Sequence, residues 1–368
     1  MNCNICEQID VRLSNVANGD AIGVSEATIR RHLKHYDKPE TDPFFTDVPT
    51  SIITSRGKSV RLADGSWEKI NWQPNAMALR EALSYDDLER ALEGFVAVDP
   101  PTKSTDDGMG LNAADLQIGK ARQRWGGTPE TLASCRSSFA RTARLVMEER
   151  PEHLVLSDNG DIIENIWNVP AQKTTNDLDV PAQIRTARKL LLEGIKLLAP
   201  LVPRLTVLSV PSNHGGSRVG YKTPESTVDA DFGLDINYQL EDVLADRDGF
   251  GHVSFVRPEP LESTALVNLG GAKVAYHHGD ESGGVFKQGD WWRNIDHGRL
   301  PGWDADVLVT AHFHTDARYR SGDGRVVIAC ASSDPGSDWF SSHSGESARR
   351  GMTVFKISDG QVVYDRIV

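Results

Sequence analysis

Cysteine is scarce in this chain. Cys3, Cys6, Cys135 and Cys330 are its four cysteines, too few and too scattered for a disulfide framework. Long apolar runs are missing as well, and none approaches the ~18 residues of a membrane span. The opening residues, MNCNICEQID, lack the basic-then-apolar order of a signal peptide, so a cytoplasmic protein is expected. Positive charge is also in deficit. A net charge of −12 argues against a surface that grips long stretches of duplex DNA. It still permits a local basic patch, or metal ions that invert the potential of one cleft. Apolar residues make up 39% and charged residues 25%, which excludes wholesale disorder.

What is present divides into three stretches. Residues 1–38 read as a small helical module: Asp20 to Tyr36 holds a short segment, a turn at Gly23 and a helix with Ser25 as N-cap. Ile29 and Leu33 fall on one face of that helix, with Arg30, Arg31 and Lys34 elsewhere. Residues 39–104 read as a proline-rich linker, then a strand–turn–strand from Ser51 to Asn71. The turn signals there are Arg56-Gly57 and Asp64-Gly65. An amphipathic helix follows, Leu83 to Phe95, and the aperiodic Pro100–Gly110 marks a boundary.

Residues 105–368 have the texture of an α/β fold. Strands are expected at His153–Leu156, Leu205–Val210, Lys273–Tyr276 and Asp306–Thr310. Helices are expected at Pro129–Arg150, Pro181–Leu198 and Leu234–Ala245. Val326–Ala331 and Met352–Val368 read as strands, the latter folded back at Ser358-Asp359-Gly360.

The apolar runs of this region finish in residues that bind metals. Asp115 and Gln117 sit in NAADLQIGK, Asp161 in LVLSDNGDIIEN, and Asn213 with His214 in VPSNHGG. His277 and His278 sit in VAYHHGDES, and His312 and His314 in LVTAHFHTD. In layered α/β folds, ligands gather where loops converge at the carboxyl ends of strands. One such cluster means little; five in one domain point to a shared centre.

Their order resembles the calcineurin-like metallophosphoesterase family, whose motifs run Asp-x-His, Gly-Asp, Gly-Asn-His-Asp/Glu, a lone His, and Gly-His-x-His. Here they read Asp115-Leu-Gln117, Gly160-Asp161, Ser212-Asn213-His214-Gly215, His278-Gly279 and Ala311-His312-Phe-His314. The resemblance spans roughly Leu111 to Val368 and is specific as a set. It implies a four-layer α/β/β/α sandwich with two divalent metal ions. Asp115, Gln117 and His314 would hold one ion, Asn213, His278 and His312 the other, and Asp161 would bridge them. His214 would protonate or stabilise the leaving oxygen. In general, two ions about 3.5–4 Å apart clamp the attacking and leaving oxygens of an in-line displacement. Within the motifs, Asp158 remains an alternative to Asp161, and His277 to His278.

Three departures stand out. Gln117 replaces an imidazole by a harder amide oxygen, which tilts the metal preference toward manganese over zinc, with iron and magnesium as alternatives. Ser212 and Ala311 replace glycines. Gly215 replaces an acid, which leaves His214 without the family's orienting carboxylate.

Other features carry two readings each. GVSEATIRRHL resembles a helix-turn-helix, which would bring Ser25, Thr28, Arg30 and Arg31 to base edges of DNA; a plain helical hairpin accounts for it equally. Cys3 and Cys6 with His32 and His35 form a candidate structural zinc site, or else the cysteines are free thiols. His153, His252, His297 and His343 fit no motif and read as core or surface histidines. Trp291-Trp292 reads as packing or as a base-stacking platform.

The expected reaction is metal-dependent phosphate-ester hydrolysis. A DNA-reading head, residues 20–36, on such a body resembles bacteriophage-encoded proteins and favours a nuclease. The acidic composition favours a small phosphorylated substrate instead. A DNA-binding scaffold without turnover is the third reading, kept open by Gln117 and Gly215.

Overall fold

The computed structural model describes residues 24, 28, 56–61, 67–72, 86–121, 126–166, 176–216, 218–219, 223–224, 227–334 and 349–368. The chain divides into two compact units, Met1–Pro74 and Asn75–Val368. In the first, β1 (Arg56–Arg61) and β2 (Trp67–Trp72) pair antiparallel, with Arg61 opposite Trp67. Asp64-Gly65 falls between them, whereas Arg56-Gly57, expected as a turn, lies inside β1. The helix-turn-helix reading of residues 20–36 lies outside the described residues apart from Val24 and Thr28. So does the zinc reading of Cys3, Cys6, His32 and His35.

The second unit opens with α1 (Asp86–Leu92), β3 (Gly108–Asn112), α2 (Thr128–Glu149), β4 (His153–Ser157), α3 (Val180–Leu198) and β5 (Arg204–Leu208). A short pair, β6 (Arg218–Val219) and β7 (Thr223–Pro224), precedes α4 (Phe232–Leu244) and β8 (Val253–Val256). Then come β9 (Ala265–Leu269), β10 (Ala272–Tyr276), α5 (Gln288–Gly298), β11 (Val307–Thr310), β12 (Ala317–Arg320) and β13 (Val326–Ala329). The chain closes with β14 (Thr353–Ser358) and β15 (Gln361–Ile367).

Two sheets result. One has the order β15-β14-β3-β4-β5-β8, with β3, β4, β5 and β8 parallel; the other has the order β12-β13-β11-β10-β9, with β10, β11 and β13 parallel. Strands β3, β4, β11 and β13 are buried along their whole length, as expected of parallel strands with both faces covered. Three apolar clusters show what covers them. Phe139, Leu191, Ile195 and Leu240 from α2, α3 and α4 pack on the first sheet with Leu154 and Leu205. Val155, Leu208 and Phe355 meet Val274, Tyr276 and Val309 between the sheets. Trp292 of α5 packs on Ala275, Leu308 and Val327 of the second sheet. The layers are therefore helix, sheet, sheet, helix, and this two-sheet α/β arrangement fits the sandwich that the resemblance implied.

Helix starts follow their capping chemistry. The Asp179 side chain accepts from Ala182 N at 2.8 Å and Asp231 accepts from Gly233 N at 2.6 Å, each satisfying an orphan donor of the first turn. Leu88 and Leu92 of α1, expected in a separate small segment, are buried in the core of the larger unit. Strand β3 falls partly in the stretch read as a boundary. Its glycines are set by packing: a Cβ on Gly110 would overlap the ring of Phe355 on the neighbouring strand. The turn between β14 and β15 has Asp359 and Gly360 at φ 49° and 74°, the two positive φ values that a type I′ Asp-Gly hairpin demands. Among the described residues no helix is long and apolar enough to cross a membrane.

Histidines outside the motifs are structural or exposed. His252 Nε2 donates to Ala199 O at 2.8 Å, His297 is exposed, and His343 lies outside the described residues. His153 is buried on β4, its Nε2 2.8 Å from Thr206 Oγ1. Burial, and then the charge of Arg204, push its pKa down to about 4. The unfolded chain takes up a proton that the native chain refuses, so this stability is present above pH 6.5 and lost as pH falls through about 4. Roughly 3 kcal/mol is at stake. We expect His153→Gln to show a smaller drop in urea midpoint between pH 7 and pH 5 than the parent protein; equal drops would remove His153 from the acid response.

Candidate metal centre

The parallel strands of both sheets deliver their following loops to one place. The loops after β3 and β4 run side by side, with Gln117 N donating to Asp161 O at 2.8 Å, Ile118 N to Ile162 O at 3.0 Å and Glu164 N to Ile118 O at 2.9 Å. That ladder fixes Asp115 and Asp161 on adjacent turns. From the second sheet, His312 N donates to Asp115 Oδ2 at 3.0 Å, which ties the β11 loop to the β3 loop.

The backbone here is strained. Asp115, Gln117, Asp161, His312 and His314 adopt φ of 50°, 42°, 50°, 70° and 53°. Left-handed conformations at non-glycine residues cost of order 1–3 kcal/mol each and persist where the surroundings enforce them, commonly at functional sites. Gly160, at φ 89°, completes the turn before Asp161, and a Cβ there would sit 2.6 Å from His278 Nδ1.

His278 lies at the middle of the centre. Its Nδ1 is 3.0 Å from the carbonyl of Asn159, which can only accept, so Nδ1 carries the proton. Nε2 is left facing Asn213 Oδ1 at 2.9 Å, Asp161 Oδ2 at 3.3 Å and His312 Nδ1 at 3.3 Å. Asp161, His278 and His312 place one ligand atom each within 4.8 Å of one another. A carbonyl-anchored imidazole aimed at a carboxylate, an amide oxygen and a second imidazole is a set of acceptors that a shared cation satisfies. Burial opposes charge on His278, yet Asp161 and then Asp115 lift its pKa to about 10, so the position calls for positive charge.

The remaining residues surround this set. His314 Nε2 is 3.7 Å from Asp115 Oδ1, and its Nδ1 is 3.8 Å from Asp334 Oδ2. Asp115 is pushed up to about 7 by burial, whereas Asp161, equally buried, is held well below the usual carboxylate range by His214 and His278. Gln117 does not present a free amide oxygen: Lys120 Nζ donates to Gln117 Oε1 and also to Asp334 Oδ2. His214 N donates to Asp161 Oδ1 at 2.9 Å. The His214 ring has Nε2 3.8 Å from Asp161 Oδ2, while Nδ1 is 3.2 Å from Glu164 O and 3.6 Å from Glu164 Oε2. Burial would lower its pKa, but Asp161 and Glu164 raise it to about 9.

The two alternatives that the motifs left open have partners of their own. Asp158 Oδ1 accepts from Gly160 N at 3.1 Å within its own turn. The His277 ring lies against Trp291, 4.3 Å between centroids, and its Nδ1 accepts from Gly279 N at 2.9 Å. Trp292 is packing: it is buried, and its Nε1 donates to Gly302 O at 2.9 Å.

Gly215 is explained by its neighbour. The Asp231 carboxylate occupies the space that a side chain at 215 would need, and it accepts from Ser212 N at 2.9 Å and Ser212 Oγ at 3.3 Å. A carboxylate from the N-cap of α4 thus fills the space beside residue 215, and Glu164 orients His214. Sequence reasoning missed Glu164, Lys120, Asp231 and Asp334. Glu164 and Lys120 each lie three residues from a motif residue, Asp161 and Gln117, and that proximity was the signal available.

No protein-family model matches the chain, and no curated protein does. Solved structures similar to it include wild-type Vps29 complexed with zinc from Entamoeba histolytica, at 11% identity and TM-score 0.31, covering 69% of this chain and 88% of that one. A conserved uncharacterised protein, a predicted phosphoesterase, from Streptococcus pneumoniae TIGR4 matches at 12% identity and TM-score 0.29, over 70% and 86%. Purple acid phosphatase PPD1 from yellow lupin, Lupinus luteus, matches at 12% identity and TM-score 0.34, over 83% and 58%. TM-scores this low leave function to be read from this chain's own residues.

The Gly215–Asp231 contact makes a direct prediction. Gly215→Ala should cost about 1–3 kcal/mol by overpacking. In an Asp231→Ala background the same change should cost much less, because the space is then free. Urea midpoints of the four proteins decide it, and strictly additive costs would show that the two residues do not share that space.

Proposed function

We propose that this chain is a metal-dependent phosphoesterase of the calcineurin-like kind, acting on phosphate esters. The observation that carries this reading is the convergence on His278 Nε2 of Asp161 Oδ2, Asn213 Oδ1 and His312 Nδ1, with His214 alongside. These donors mix one carboxylate with an amide oxygen and imidazoles, which suits a divalent transition metal without overloading the site with negative charge. Asp161, Asn213, His278 and His312 would hold such an ion. Asp115, Gln117 and His314 are the donors of the second position, where Lys120 also lies. A bound divalent ion polarises phosphoryl oxygens and makes water a competent nucleophile near neutral pH.

The protein's own groups supply the rest. The Glu164 carbonyl accepts from His214 Nδ1, which turns Nε2 toward Asp161 and the centre. From there Nε2 is the atom that delivers a proton to the leaving oxygen, a role worth about 10²–10⁴-fold in rate. Asn165 Nδ2 donates to His214 O at 2.7 Å and to Gly216 O at 3.2 Å, clamping the loop that carries the ring. Glu164 holds His214 Nδ1 where Gly215 offers no acid, and Asp231 braces the same loop through Ser212 N and Oγ.

The nuclease reading is the finer proposal. It drew on residues 20–36, whereas every residue argued above belongs to the larger unit. The test is hydrolysis of an aryl phosphomonoester, an aryl phosphodiester, and single- and double-stranded DNA, with manganese, zinc, magnesium or iron added and then chelated. Turnover that needs metal and is abolished in Asp161→Ala supports the phosphoesterase, and the preferred substrate sets its class. His214→Ala should keep its metal while losing about 10²–10⁴-fold in turnover. No turnover on any substrate by a folded, metal-loaded protein would refute the proposal.

A further inference from the structure

Lys120 is buried at 4% exposure, in the loop that carries Asp115 and Gln117. Its ammonium donates to Gln117 Oε1, the atom that the motif offers to one metal ion, and to Asp334 Oδ2. Asp334 is itself built into the centre. Ser332 Oγ donates to Asp115 O at 2.7 Å and accepts from Asp334 N at 3.0 Å, so the loop after β13 is pinned to Asp115. The same Asp334 Oδ2 lies 3.8 Å from His314 Nδ1, and His314 Nε2 is 3.7 Å from Asp115 Oδ1. The second position is thus lined by Asp115, His314, Gln117 and Asp334, with a side-chain cation already among them. The substitution at 117 belongs with this arrangement, since an amide oxygen is an obligate acceptor and suits an ammonium donor.

We infer that Lys120 is the second cation of the centre, standing where a two-metal enzyme would carry its other ion and leaving one ion for Asp161, Asn213, His278 and His312. This rests on the metal-dependent reading above. A fixed ammonium and a divalent ion competing for the same amide oxygen repel strongly at low dielectric, and the tethered one does not leave. The trade has a chemical meaning. An ammonium neutralises charge on a phosphate and needs no loading, but it cannot activate water as a metal does. Nucleophile activation would then fall wholly to the single ion at Asp161 and His278. Lys120 is a charge-supplying residue set beside the ion by its two acceptors.

The experiment counts metal. The full chain is saturated with manganese, freed of excess by gel filtration and assayed by mass spectrometry for ions per chain. We expect one ion per chain in the parent protein and two in Lys120→Met, which keeps the bulk and removes the charge. Two ions in the parent, or one in a folded Lys120→Met, would overturn the assignment. Should Lys120→Met fail to fold, anomalous diffraction from manganese-soaked parent crystals answers the same question. A single peak beside Asp161 and His278 supports the assignment, and a peak on Gln117 Oε1 overturns it. Two ions with turnover would sink only the role of Lys120, whereas a chain that binds no manganese, zinc or iron would sink the metal reading as well.

Discussion

Everything in the larger unit answers to one electrostatic demand. Asp115, Asp161, Glu164 and Asp334 are brought out of water within a few residues of one another in space, and His278 is wedged among acceptors. Buried carboxylates are costly unless opposed by positive charge. The protein meets part of that demand with Lys120 on Asp334, and sets His214 and His278 against Asp161. Opposed charges are gathered here by the same burial that gives the sandwich its core.

The strain at the centre follows from that demand. Side chains from the loops after β3, β4, β5, β10 and β11 come together only if the chain turns sharply at each strand end. Left-handed backbone at Asp115, Asp161, His312 and His314 is how it turns. The scaffold can hold those conformations because the loops are cross-braced. The ladder between residues 117–118 and 161–164 fixes one pair, and His312 N on Asp115 ties the two sheets together. Glycine is kept where a ring or a carboxylate must come closer than a Cβ allows, at 160 and 215.

Much of this was legible in the sequence. The runs at His153, Leu205, Lys273 and Asp306 are short and apolar and stop at polar clusters, and each is a buried strand. The helices beginning near Pro129, Pro181 and Leu234 carry their caps and their apolar faces openly. Strand β3 was illegible because Gly108 and Gly110 signal a break, and only the approach of Phe355 from 245 positions beyond Gly110 shows otherwise. Helix α5 was missed because its burial rests mainly on Trp292. The motif residues announced themselves by order, but their supporting shell did not. Asp334 meets Lys120 across 214 positions, and Asp231 fills the place of a residue at 215 only after the chain has made a strand pair and begun a helix. Pattern reading finds residues that act where they stand; it misses those that act by returning.

The placement of β3 bears on how the protein comes off the ribosome. One edge of this strand pairs early with β4, whereas the other waits for β14, and Asn112 Nδ2 reaches Thr353 O across 241 positions. During synthesis β3 therefore spends a long interval with an open edge of unpaired backbone N–H and C=O groups, the kind of template that recruits a neighbouring nascent chain. Its two glycines make it a poor template, since they offer strangers little side-chain surface and lower the local preference for a strand. Gly110 accepts the Phe355 ring when it arrives, and Gly108 accepts Leu269 from the second sheet. A central strand that is weak alone and snug only with its proper partner protects the protein while it is being made.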